Sequence, residues 1–175
     1  ILRCLVGSEM CIRDRNLTDT STVWNHQWRA HGSQPGYDVK QSSQFLISKS
    51  TDDGLTWSEP RNITRQVKKE KWWLLAPGPG RGITMEDGTL VFPVEGRNED
   101  GLQFSTIMWS KDKGENWTVG EPAYYNTNEC QVVELSDHSL MLNMRERSNR
   151  GRQEGNGRAI AVTADLGKTW TEHPT

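Results

Sequence analysis

The chain has 175 residues, with 21 Lys and Arg against 23 Asp and Glu and a formal net charge of −2, so no global field draws it to nucleic acid or to a lipid surface. Its apolar runs, such as Thr89-Leu-Val-Phe-Pro-Val94, are strand-sized and fall well short of the roughly 18 residues that a membrane-spanning helix needs. With 33% hydrophobic residues it reads as a soluble globular protein, and no membrane insertion is expected.

The first segment, Ile1 to Arg15, shows neither strand alternation nor helical periodicity, and nothing after Asn16 is like it. Its Met10-Cys-Ile-Arg-Asp14 stretch resembles the translated transposase end of sequencing-library adapters. Residues 1–15 are therefore expected to be non-native and are set apart from residues 16–175. On that reading Cys4 and Cys11 drop out, Cys130 is the one native cysteine, and no disulfide framework follows.

Eight tryptophans stand against three tyrosines and three phenylalanines, and they recur beside Gly, Asp and Thr rather than at helical spacing, which points to a repeat. Three octets align without gaps: Ser50-Thr-Asp-Asp-Gly-Leu-Thr-Trp57, Ser110-Lys-Asp-Lys-Gly-Glu-Asn-Trp117 and Thr163-Ala-Asp-Leu-Gly-Lys-Thr-Trp170. Each holds an Asp able to bond nearby backbone N–H groups and a Gly free to adopt positive φ, the chemistry of a hairpin turn. Asp52, Gly54, Trp57, Asp112, Gly114, Trp117, Asp165, Gly167 and Trp170 are accordingly read as structural, each Trp packing against its own blade.

A strand-like run precedes each octet: Phe45 to Ser48, Phe104 to Trp109 and Ala159 to Val162. Between octets, Gly88 to Val94 follows the turn at Glu86-Asp-Gly88, and Cys130 to Leu135 leads through Ser136-Asp-His138 into Ser139 to Arg145. No helical periodicity is evident, so the chain reads as an all-β array of short antiparallel strands. The octet spacing suits one four-stranded blade per repeat.

The octets resemble the Asp-boxes of sialidases and related β-propellers, which implies about three blades of a six-bladed propeller with the boxes at its periphery. Asp-boxes also occur in propellers that are not sialidases, so fold alone leaves function open. The functional resemblance lies in Asn128-Glu-Cys-Gln-Val-Val-Glu134 followed by Leu140-Met-Leu-Asn-Met-Arg145, which is similar to an E-x-Q-V-x-E and L-N-x-R pair in sialidases. It implies that Glu129 is the glutamate paired with a tyrosine nucleophile and that Arg145 is one arginine of a carboxylate-binding triad. Read alone, Glu129 also fits a solvated polar turn, and Arg145 a surface charge beside Arg147, Arg150, Arg152 and Arg158.

The chemistry explains why such residues are used. Sialic acid carries its carboxylate on the anomeric carbon, which repels an Asp or Glu nucleophile, and sialidases use tyrosine instead. A phenol of ordinary pKa near 10 needs a neighbouring carboxylate to take its proton, and a guanidinium gives a carboxylate two parallel charge-assisted bonds.

Glu95 ends the run Val91 to Glu95 where some sialidases place contacts to the glycerol chain, so it is a secondary substrate-binding candidate. Gly78-Pro-Gly-Arg-Gly82 resembles a glycine-rich turn of bacterial sialidases and lacks the Lys-Ser/Thr of a phosphate loop; it reads as a turn, the alternative being that Arg81 stands near the pocket. Trp72 and Trp73 fit a blade edge or a sugar-stacking wall. His26, His31, His138 and His173 show no metal-ligand spacing, so neither metal nor organic cofactor is expected.

Tyr37, Tyr124 and Tyr125 lack the context of the nucleophile, and the acid/base aspartate and remaining arginines match no residue here. The resemblance thus implies an inactive fragment of a retaining exo-α-sialidase that acts on sialylated glycans and is secreted or periplasmic. The rival reading is a non-catalytic Asp-box propeller that binds glycans or serves as a receptor, and it expects no Glu129–Arg145 pairing.

Overall fold

A computed structural model describes residues 33–39, 41–146 and 157–173. The proposed adapter-derived segment, Trp24, His26, His31, Arg147, Arg150 and Arg152 lie outside the described residues.

Among the described residues twelve short strands and one helical turn follow one another: β1 (Leu46–Ile47), β2 (Arg61–Asn62), α1 (Thr64–Val67), β3 (Leu74–Pro77), β4 (Ile83–Thr84), β5 (Leu90–Arg97), β6 (Gln103–Ser110), β7 (Thr118–Val119), β8 (Tyr124–Tyr125), β9 (Thr127–Glu134), β10 (Leu140–Glu146), β11 (Arg158–Thr163) and β12 (Thr171–Glu172). They form three antiparallel sheets. β1 pairs with β2; β3-β5-β6-β7 form the second sheet, with β4 on β5 and β8 on β6; and β9 to β12 form the third in sequence order. These are two complete four-stranded blades and the outer hairpin of a third, a partial β-propeller.

The sequence does not announce α1, because one turn is too short to establish a period. Its signature is only the pair Ile63 and Val67, four apart and both fully buried. Asn62 Oδ1 accepts the Thr64 N–H (3.0 Å), and the Thr64 hydroxyl accepts the Phe45 N–H (2.8 Å), fixing the turn on the first blade.

The apolar core lies between blades. One cluster joins Phe45, Ile47, Ile63 and Val67 of the first blade to Trp72, Phe92, Val94, Phe104 and Met108 of the second. The other joins Val91 and Ile107 of the second blade to Cys130, Val132, Leu140, Leu142 and Met144 of the third. Alternation along β5 sends Phe92 and Val94 one way and Val91 the other, so each blade is a two-sided layer. Trp72 is not an edge cover: it is 2% exposed and packs against Phe104 with the rings tilted at 55° and their centroids 4.6 Å apart.

The three Asp-boxes have one geometry. In the first, Ser50 Oγ donates to Asp52 Oδ1 (2.8 Å) and accepts the Gly54 N–H (2.8 Å), while Asp52 Oδ1 accepts the Thr56 N–H (2.9 Å). Ser110, Asp112, Gly114 and Asn116 repeat this, as do Thr163, Asp165, Gly167 and Thr169. Gly54, Gly114 and Gly167 have φ of +90°, +89° and +80°, which explains the glycine in each box. Trp57 and Trp117 close onto the carbonyl of their own box glycine, whereas the Trp170 indole N–H reaches back to Glu121 O of the preceding blade (2.9 Å).

These bonds favour the ionised aspartates. The Thr56 side chain and then its N–H hold Asp52 down to about 2; the N–H groups of Asn116 and Thr169 lead in holding Asp112 and Asp165 there too. A carboxylate lowered in the folded state contributes stability above its unfolded pKa, near 4, and loses it as pH falls toward 2. Thermal melting is therefore expected to lose stability across that window, and Asp112→Asn should lower the melting temperature at pH 7 while flattening the acid limb. An unchanged acid limb would contradict this.

Candidate active site

β9 and β10 form a hairpin closed at Leu135–Ser139, and their register is regular from Leu140 opposite Glu134 to Met144 opposite Cys130. It then shifts: Arg145 faces Asn128 and Glu146 faces Thr127, leaving Glu129 as the extra residue of a β-bulge. Glu129 accordingly has φ +42°, a left-handed conformation that costs a residue with a Cβ about 1–3 kcal/mol and survives only where its surroundings impose it.

The bulge brings the Glu129 carboxylate to the guanidinium of Arg145, where Nη1 donates to Oε2; both side chains are 42% exposed, so the pair is open to solvent and to a ligand. The two candidate residues therefore meet at one end of one hairpin. β11 runs away from Arg158, opposite Arg145, to Thr163, so the Asp-box that follows lies at the other end.

Around the pair, Arg158 is the cross-strand neighbour of Arg145, two like charges side by side, with its Nε donating to Asn143 Oδ1. Asn143 thereby explains the Asn of the L-N-x-R pattern. Glu129, on the β9 side of β10, pairs with Arg145 alone of these two arginines. Sequence reasoning had Arg158 as a surface charge, because only the β10–β11 register places it. Asn128 is buried, and its Oδ1 has no protein partner.

Glu134, the last residue of the E-x-Q-V-x-E pattern, lies at the far end of β9. There its Oε2 accepts the Glu86 N–H (3.0 Å) and its Oε1 meets His138 (3.1 Å), so it ties two turns together and takes no part in the site. A cleft of about 610 Å³ lined by Glu86, Trp109, His138 and Asp165 shares that end, away from Glu129 and Arg145. Its walls are turn residues and the strand ends beside them, Trp109, Glu134, Leu140 and Thr163 among them, and the hairpin geometry rather than the cleft marks the candidate site.

The second blade supports β9 from behind. Glu95, 7% exposed on β5, accepts the Glu129 N–H at 2.6 Å, and the Cys130 thiol faces Val94 O at 3.4 Å. The 78–82 turn is pressed against the same strand. A Cβ on Gly78 would stand 2.9 Å from Cys130 O, a backbone atom, so this glycine is there for close approach; one on Gly80 would meet only the movable end of the Gln131 side chain. Arg81 contributes its carbonyl, which accepts from Gln131 Nε2 (3.3 Å). Trp73 is half-buried, its indole donating to Glu99 O (3.0 Å), and Tyr124 and Tyr125 form β8 against β6.

Burial, followed by the nearby Glu95 charge, pushes the Cys130 thiol up to about 12. Peptide-resolved alkylation at pH 8 should leave Cys130 unmodified in the native protein and modify it on unfolding; native-state labelling at the rate of a free thiol would contradict this. Among the described residues no group of three or more His, Cys, Asp or Glu is arranged to hold a metal ion.

Blades built on Asp-boxes, with a glutamate and an arginine paired at one end of a blade, define a propeller of the sialidase type. Residues 14–175 match the family model described as a BNR repeat-like domain, and the chain belongs to that family. It is 49% identical over 165 residues to a sialidase of Bacteroides fragilis, covering 89% of this chain and 29% of that protein. The solved Hadza microbial sialidase Hz136 superposes with a TM-score of 0.77 at 48% identity, over 85% of this chain and 28% of that one. Trypanosoma rangeli sialidase in complex with sialic acid superposes with a TM-score of 0.57 at 26% identity, over 74% and 21%. The chain is a sialidase homologue and spans under a third of the length of these relatives.

Proposed function

We propose that this chain is part of a longer retaining exo-α-sialidase that hydrolyses terminal sialic acid from glycoproteins, glycolipids or oligosaccharides, and that the parent protein is secreted or periplasmic. The observation that carries this reading is the bulge that turns Glu129 onto Arg145 at one end of the β9–β10 hairpin. A glycan-binding propeller without catalysis has no need of a strained, ion-paired glutamate at that position.

In the proposed mechanism Arg145 takes one side of the substrate carboxylate and holds the sugar in register. Glu129, held beside Arg145, accepts the proton of a tyrosine as that phenol attacks the anomeric carbon, and returns it when water releases the sugar. The tyrosine, the acid/base aspartate and the other arginines are supplied by the rest of the parent protein. No described helix is long and apolar enough to cross a membrane.

The test is proton NMR of sialyllactose hydrolysis by the parent protein. The α-anomer of free sialic acid is expected as the first product, as retention requires. No release at all would favour the binding-module reading, and the β-anomer appearing first would exclude a tyrosyl intermediate.

A further inference from the structure

The bulge raises a question that the hairpin alone does not answer: what keeps Glu129 in it. With Asn128 facing Arg145 and Cys130 facing Met144, Glu129 has no opposite residue on β10, so the ladder gives its N–H no acceptor there. Its φ of +42° adds a conformational cost. Without an acceptor elsewhere, restoring regular pairing would be the cheaper arrangement, and it would swing the Glu129 side chain off Arg145.

The acceptor comes from the neighbouring blade. Glu95 Oε2 receives the Glu129 N–H at 2.6 Å, a short bond of the charge-assisted kind, on a side chain only 7% exposed. Glu95 is itself held in the middle of a ladder, opposite Ala76 on β3 and Ser105 on β6, so its backbone is fixed on both sides. A carboxylate committed to a backbone amide in this way is poorly placed to be read mainly by a substrate.

The geometry points to Glu95 as a positioning residue: its carboxylate, reaching across the blade interface to the Glu129 N–H, holds the bulge that presents Glu129 to Arg145 and to the reacting centre. Its place in catalysis rests on the sialidase reading above, whereas the clamp itself does not.

Glu95→Gln keeps an oxygen acceptor at the same reach, and Glu95→Leu removes it at similar volume. In the parent protein, hydrogen exchange at the Glu129 amide should be slow in wild type, somewhat faster in Glu95→Gln and at least tenfold faster in Glu95→Leu, because an amide without its partner loses protection. If the hydrolase reading holds, Glu95→Leu should lower kcat about 10- to 100-fold with KM little changed, the usual cost of losing a residue that orients a reacting group, and Glu95→Gln should recover most of the rate. Should Glu95→Leu fail to fold, Glu95→Ser, too short to reach the amide, replaces it.

Unaltered exchange at Glu129 in the variant that lacks the acceptor overturns the clamp, whatever the activity. A raised KM with kcat intact overturns the positioning role and makes Glu95 a substrate contact. Faster exchange in a parent protein that hydrolyses no sialoside leaves the clamp standing and sinks the sialidase reading instead.

Discussion

Glu129→Gln is expected to lower kcat of the parent enzyme by about two to four orders of magnitude, the usual size of a lost acid–base contribution. The amide is nearly isosteric with the carboxylate, and the Glu129 N–H can still bond Glu95, so the bulge should persist and the protein should fold. What disappears is an acceptor basic enough to take a phenolic proton at neutral pH. Substrate binding should change far less, because Arg145, the residue proposed to hold the carboxylate, is left in place. The variant should therefore separate kcat from KM, and an unchanged kcat would return Glu129 to a solvated turn residue.

Arg145→Ala is expected to cost about 2–5 kcal/mol in kcat/KM, or roughly 30-fold to several thousand-fold, the range for truncating one partner of a desolvated charge pair. In the unliganded protein the Arg145–Glu129 pair is 42% exposed on both sides and contributes little to stability. The cost arises when the bound sugar excludes water and leaves a carboxylate facing no guanidinium. Arg145→Lys should fall between, since a point charge replaces the planar fork. A change in melting temperature without a change in kcat/KM would contradict the assignment.

Much of the fold was legible because its signals are local. The three octets specify their turns through side chains that bond within the same few residues, so Asp52, Asp112 and Asp165 and the positive-φ glycines could be read directly. The hydrophobic runs at β5, β6, β9 and β10 likewise fell where strands formed. Features set by pairing between distant segments could not be read. β3 lies in a stretch headed by Trp72 and Trp73 that looks like a surface edge until Phe104 is brought against it. The bulge at Glu129 is a property of the β9–β10 register, and the Glu95 contact spans 34 residues between two blades. Glu134 shows the opposite hazard: a motif letter as prominent as Glu129 sits at the wrong end of its strand and only ties turns together.

The most direct test of the account compares parent protein and Arg145→Ala for binding of sialic acid and of an analogue whose carboxylate is an uncharged amide. Arg145 is assigned to that carboxylate and to nothing else in the sugar. Wild type should strongly prefer the acid, and Arg145→Ala should lose most of that preference while binding the amide about as well as wild type does. Equal discrimination by the two proteins would show that Arg145 does not hold the carboxylate, and the β9–β10 hairpin would no longer be the substrate site.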